Sequence, residues 1–281
     1  MPSLDSSKRS PVNPNVAALL TWLVPGAGHF LLGHMRLAVA AFVVIQGLYV
    51  AGLALTGGAF LDLLAPEIRG PFAGALTPEA GNVGAFFLHV RQIDFSDLSP
   101  APFGPQLYLG LALTSTSGIL NLILASRAHF DARAQAGSVI EGAAIHPAAA
   151  VLFGWLIPGA GHVSQGRVAR GLFCFLLITG MFVLGCLLAE GTNLDRTRHF
   201  YYWAGQTMLG PMAFVAEFFS GHPAMEVRPR YSDAGVMLAS VAGVLNVLLL
   251  LDVYGFSDSK LFGRPLATEL KASRRGEPKA S

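Results

Sequence analysis

The sequence predicts an all-α fold, an integral membrane helical bundle built from two homologous three-helix halves. Three observations predict it. Charged residues make up only 13% of 281 and hydrophobic ones 53%, with a mean hydropathy of +0.53, far from a water-soluble average. The apolar residues gather in runs at 16–33, 37–56, 107–125, 148–162, 172–189 and 234–253 with almost no ionised side chains, several near the roughly 20 residues that cross a bilayer as helix. Finally, Pro-Gly-Ala-Gly-His occurs twice, at 25–29 and 158–162, each time near the end of an apolar run.

Residues 1–13 form a polar tail with Lys8 and Arg9. No small-residue cleavage site occurs in the first apolar run, so an uncleaved first helix is expected. Pro14 suits a first helical position, with Asn13 or Asn15 as cap. Pro25 then removes a backbone bond while Gly26 and Gly28 loosen the next turn, which predicts a break. Up to Val24 that helix is only about 16 Å long, too short to cross alone.

The second run spans, with Gln46 its one strongly polar side chain and Gly47 and Gly52 expected to admit a close neighbour. Residues 57–105 turn to Pro, Gly and charge, with a short apolar piece at 83–90; this reads as a loop holding an interfacial helix. The third run carries Thr114, Ser115, Thr116, Ser117 and Asn121, polar enough to predict packing against protein. Residues 127–146 read as a hydrophilic linker between a first membrane repeat at 14–126 and a second at 147–255. Within the second, 200–219 has aromatic ends and a central Pro211, which favours an interfacial helix over a seventh span. A polar tail at 256–281 closes the chain.

The first half recurs in the second. At an offset of 133, Pro14, Trp22, Leu23, Pro25 to His29 and Gly33 match Pro147, Trp155, Leu156, Pro158 to His162 and Gly166, and Gly47 and Gly52 match Gly180 and Gly185. At an offset of 125, Gly118, Leu120 and Asn121 match Gly243, Leu245 and Asn246. Joint recurrence of Trp, Pro, His and Asn is the mark of a duplication. Six full spans would invert the halves, whereas re-entrant Pro-Gly helices would make them parallel and bring Arg36, Arg127 and Arg133 inside. Both give a modest excess of basic residues on one side, so charge alone does not separate them.

A short apolar helix, a glycine-rich turn with histidine and a long second helix resemble the two-transmembrane-helix domain family, through Gly26, Gly28, His29 and Gly33 and again Gly159, Gly161, His162 and Gly166. The chain departs from that family in the proline before the first glycine and in lacking an aromatic-rich segment after the histidine. The wider layout, with Trp-Leu-x-Pro-Gly-Ala-Gly-His in both halves and Gly-x-Leu-Asn in each third helix, is similar to a bacterial polytopic membrane family known as a domain of unknown function. That resemblance implies no activity.

The candidate functional or helix-break positions are Pro25, Gly26, Gly28, His29, Pro158, Gly159, Gly161, His162, Asn121 and Asn246. His29 and His162 invite a shared metal or haem iron, but two imidazoles make a thin ligand set. Capping of backbone groups freed by the breaks is the preferred expectation. Asn121 and Asn246 either line a solute path or, as preferred, bond across helices. Asp62, Glu190 and Asp252 are expected at helix ends, and no apolar run has Asp or Glu near its middle, which lowers the case for a proton-coupled pump. Hydrolase, zinc-protease and nucleotide motifs are missing from the sequence, so no catalytic residue, metal or cofactor is assigned. Cys174 and Cys186, twelve residues apart in one run, are about 18 Å apart on a helix and do not pair. A net charge of +2 with scattered basic residues argues against nucleic acid. The expected partners are the bilayer and other membrane proteins, and the expected role is a non-catalytic scaffold, assembly factor or accessory subunit of a bacterial inner membrane. A small-solute or ion carrier centred on the paired breaks is the competitor, and an intramembrane enzyme comes third.

Overall fold

A computed structural model describes residues 12–59, 61–64, 73–93, 106–222 and 228–265. Arg69 and the tail residues Lys8, Arg9, Lys271, Arg274, Arg275 and Lys279 lie outside them. Among the described residues the regular structure is helical, without strands.

Helix α1 covers Pro14–Leu23, with Asn13 capping it and Pro14 in the first turn. It stops before Pro25. Gly26 sits at φ +83° with the Ala38 backbone where a side chain would be, a conformation and a closeness that favour glycine. Helix α2, Ala27–Leu31, then doubles back along α1: Gly28 lies against the Ala17 carbonyl and donates its N–H to Thr21 Oγ1 at 3.0 Å. Helix α3, Met35–Thr56, therefore starts at the end where α1 started. A helix α4, Val83–Val90, comes after three short 3-10 segments, and α5, Leu107–Ala136, returns antiparallel to α3. Gly52 and Gly110 mark their closest approach, a Cβ at Gly52 standing 2.6 Å from the Gly110 carbonyl oxygen.

The second set has the same order. Helix α6 is Pro147–Leu156, α7 Ala160–Ser164, α8 Val168–Leu188, α9 Phe200–Thr207, α10 Pro211–Ser220 and α11 Ser232–Leu261. Gly159 repeats the left-handed turn at φ +82°, now against Gly171. Among the described residues four helices, α3, α5, α8 and α11, are long and apolar enough to cross a membrane, so the protein is a membrane protein. All four have one end at the termini side of the molecule, where Ile140 N–H donates to Leu261 O at 2.8 Å and Arg133 Nη1 pairs with Asp258 Oδ1 at 2.7 Å.

The short helices complete the bundle. The C-terminal end of α1 meets the N-terminal end of α4, Leu23 O lying against Gly84, and α4 then leads to the far end of α3, where His89 Nε2 bonds Gly58 O at 2.9 Å. Likewise Trp155 O at the end of α6 lies against Gly210, and α10 leads away to Gly191 beyond α8. Lengths of about 15 Å for α1, α6 and α10 and about 12 Å for α4 make each pair nearly as long as a single span of about 30 Å. Each pair is thus a column interrupted at mid-height.

Several expectations change on this geometry. The Pro-Gly breaks turn the chain back and do not carry it across. The 83–90 helix packs on the protein through one face, with Phe86 and Val90 buried with Leu61, Leu64 and Phe200. The segment 200–219 is two helices, because Gly210 at φ +74° precedes Pro211, and Trp203 is buried against Leu107 and Leu111. The expected linker at 127–146 begins only after Ala136, and α11 runs to Leu261, past the expected boundary at 255. The polar ends of α5 and α11 extend the apolar runs as helix because their charged faces pair with each other. Of the two glycines expected to admit a neighbour in α3, Gly52 does and Gly47 has nothing within 4 Å.

Candidate functional site

Where each interrupted column changes helix, three elements are tied by the residues that recur in the sequence. The wedge formed by the 3-10 segment Pro78–Asn82 packs on α5 at Gly118, whose missing side chain leaves room for the Pro78 carbonyl. Asn121, fully buried, donates through Nδ2 to Trp22 O at 3.1 Å and Gly81 O at 3.0 Å. Trp22 Nε1 donates to Ala80 O at 2.9 Å. In the second set Gly243 admits the Gly205 carbonyl, and Asn246 Nδ2 donates to Met208 O at 2.9 Å and Gly154 O at 3.4 Å. Trp155 Nε1 donates to Thr207 O at 3.4 Å. Each Asn therefore bonds carbonyls freed where a helix ends, groups that need a partner at membrane depth.

The wedges differ in charge at the residue that follows the carbonyl facing Gly118 or Gly243: Glu79 stands in the first and Gln206 in the second. Gln206 Oε1 accepts from Asn193 Nδ2 at 2.7 Å. Glu79, 1% exposed, accepts at Oε1 from Thr114 Oγ1 and Ser115 Oγ, both at 2.9 Å, and from Arg196 Nη1 at 2.6 Å; its Oε2 accepts from Arg196 Nη2 at 3.2 Å. Arg196, wholly buried, has Phe200 and Trp203 rings each 4.8 Å from its guanidinium carbon. The pair ties the loop after α3 to the loop after α8. It went unforeseen because both residues lie in loops read as peripheral; the signal was the Thr114 to Ser117 run.

The histidines of the repeated turns do not act as expected. Each meets a carboxylate from a long helix: His29 Nε2 lies 3.8 Å from Asp131 Oδ2, and His162 Nε2 3.1 Å from Asp252 Oδ2. Neither caps the break, since both ring nitrogens of His29 lack a hydrogen bond and the Gly28 N–H goes to Thr21 instead. A carboxylate thus stands beside each histidine, and Asp252 lies inside α11, not at its end. The cluster around Asp131 also holds His146 Nε2 at 2.9 Å, Arg127 Nε at 3.5 Å and His34 Nδ1 at 3.7 Å; around Asp252 stand Arg167 at 2.8 Å and Arg170 at 3.0 Å. Both clusters hold a doubled-back helix to the last long helix of its set. No group of three or more His, Cys, Asp or Glu among the described residues is arranged to hold a metal ion. Pro25 and Pro158 stand at the turns, with Gly26, Gly28, Gly159 and Gly161 supplying the close approaches.

A family model described as a family of unknown function, DUF6677, matches the chain twice, over residues 16–139 and 149–265. No curated protein and no solved structure matches the chain.

Proposed function

We propose, from the premise that the chain belongs to the family of unknown function DUF6677, that it is a duplicated, non-catalytic membrane scaffold or accessory subunit of a bacterial inner membrane. The observation that carries this reading is the use of the polar side chains at both column breaks. Asn121 and Asn246 are fully buried, and the Nδ2 of each is committed to two carbonyls, so the amide donors a solute would need already have partners inside the fold, while each Oδ1 is buried without one. The matching junctions, turns and glycine contacts of the two sets support the duplication. The competitor, a small-solute or ion carrier, is favoured by half-helices meeting at mid-height in both sets, the usual position of a transporter's central site. Purification from the native membrane, followed by identification of what accompanies the chain, separates them. A stable protein partner is expected; its consistent absence, with solute flux after reconstitution in liposomes, would overturn the scaffold reading.

The termini side is assigned to the cytoplasm. Among the described residues it carries Arg36, Arg127, Arg133, Arg167, Arg170, Lys260 and Arg264. Arg91, Arg198, Arg228 and Arg230 belong to the opposite side, with Arg196 buried against Glu79, a distribution that agrees with the positive-inside rule. A green fluorescent reporter fused after Ser281, which matures only in the cytoplasm, should fluoresce; a dark fusion that becomes bright with an exported reporter reverses the assignment.

A further inference from the structure

The seam between the two sets of helices is lined on its lipid-facing side by two clefts. One, of about 440 Å³, is walled by Ala41 and Ile45 of α3, Leu124 of α5 and Ala149 of α6, with Arg127 and His146 at its edge. The other, of about 530 Å³, is walled by Leu113 of α5, Leu156 of α6 and Phe214 and Phe218 of α10. Leu120 and Leu152 line both, so the clefts adjoin as one groove. Along α5 it reaches from Arg127 to Ala112, about 22 Å at the helical rise, more than half of the roughly 30 Å hydrocarbon core.

Its ionisable residues are confined to one end. Both His146 nitrogens are engaged, Nε2 with Asp131 and Nδ1 accepting from the Ala148 N–H. Arg127 reaches Asp131 through Nε, the nitrogen nearest its stem, and its side chain is 44% exposed. Exposed Arg36 lies one helical turn below Ala40, another wall residue, on the same face of α3. A cationic mouth leading into a long apolar wall matches an amphiphile with an anionic head and a hydrocarbon tail.

We propose that this groove holds an anionic phospholipid, its headgroup at Arg127 and Arg36 and one acyl chain lying along α5 past Leu120 and Leu152. An apolar partner helix would fill the length of the groove but bring no anion to exposed Arg36 or to Arg127, which shares Asp131 with His29, His34 and His146. The full-length protein, delipidated and offered equal amounts of phosphatidylglycerol and phosphatidylethanolamine, should retain phosphatidylglycerol preferentially in native mass spectra. Arg127→Gln should weaken that retention about fivefold, the effect of one arginine near an anionic surface, and Arg36→Gln should weaken it in the same direction. Leu152→Trp, which fills the groove where the clefts adjoin, should reduce retention of both lipids. Equal retention of the two lipids by the unaltered chain, retention unchanged in both arginine variants, or a stoichiometric protein that blocks lipid uptake would each overturn the proposal.

Discussion

Glu79→Ala is expected to lower the free energy of unfolding by about 3–5 kcal/mol, the cost of leaving one member of a buried ion pair without its counter-charge. The magnitude reflects where the pair sits. Glu79 is 1% exposed and Arg196 wholly buried, so water does not take over for the missing carboxylate. Arg196→Ala should cost a similar amount, because it strands a buried carboxylate with hydrogen bonds from neutral groups, the Thr114 and Ser115 hydroxyls among them, and opens a void beside Phe200 and Trp203. The combined variant Glu79→Gln, Arg196→Met should recover much of the loss, since buried pairs replaced by neutral groups of similar volume are often tolerated. The second wedge already works this way, with Gln206 bonded to Asn193. Thermal unfolding in mild detergent, monitored by tryptophan emission, reads all three variants. Single variants within about 1 kcal/mol of the unaltered chain would mean that solvent reaches the pair and screens it.

The same pair shows what was legible in the sequence. The breaks at Pro25 and Pro158 were legible because proline and glycine act on the backbone locally, whatever surrounds them. The recurrence of Trp22, Gly118 and Asn121 at Trp155, Gly243 and Asn246 was legible as a pattern, but its meaning was not. The common partners of these residues are carbonyls of 78–81 and 205–208, and a carbonyl leaves no mark in a sequence. Glu79 and Asp131 were missed for a related reason. One lies in a segment without helical periodicity, and the other in helical turns of α5 beyond its apolar run, where composition resembles a linker. A trace of Glu79 did exist in α5: Thr114 and Ser117 correspond to Ala239 and Ala242 in α11, where Ser240 alone repeats a hydroxyl, that of Ser115, so the polar stripe is fuller in the first set. Thr114 and Ser115 serve the carboxylate, while Ser117 accepts from Asn82 at 2.9 Å.

Gly118→Ala and Gly243→Ala are each expected to destabilise the protein by more than about 3 kcal/mol. A methyl group at Gly118 would overlap the Pro78 carbonyl, with the Glu79 Cα 3.1 Å away; at Gly243 it would overlap the Gly205 carbonyl, with the Gln206 Cα 3.3 Å away. In both places the obstruction is backbone, which cannot rotate aside as a side chain would. The wedge must withdraw, and it is pinned: Asn121 bonds it to the C-terminal end of α1 and Asn246 to that of α6. Withdrawal therefore adds orphaned carbonyls, at about 1–3 kcal/mol each, to an overpacking cost of similar size. Against a total stability of about 5–15 kcal/mol, the result should be a sharp fall in monodisperse protein and in melting temperature. Gly47→Ala and Gly180→Ala provide the contrast. Neither has any atom within 4 Å of an added Cβ, and both lie in helix interiors, where alanine is favoured over glycine by about 0.5–1 kcal/mol. These two should be neutral or slightly stabilising. If Gly118→Ala melts like the unaltered chain, the wedge is not pinned and the half-helix tips are free to move, as a carrier would need. If Gly118→Ala is tolerated and Gly243→Ala is not, the two junctions are unequal and the duplicated scaffold loses its structural basis.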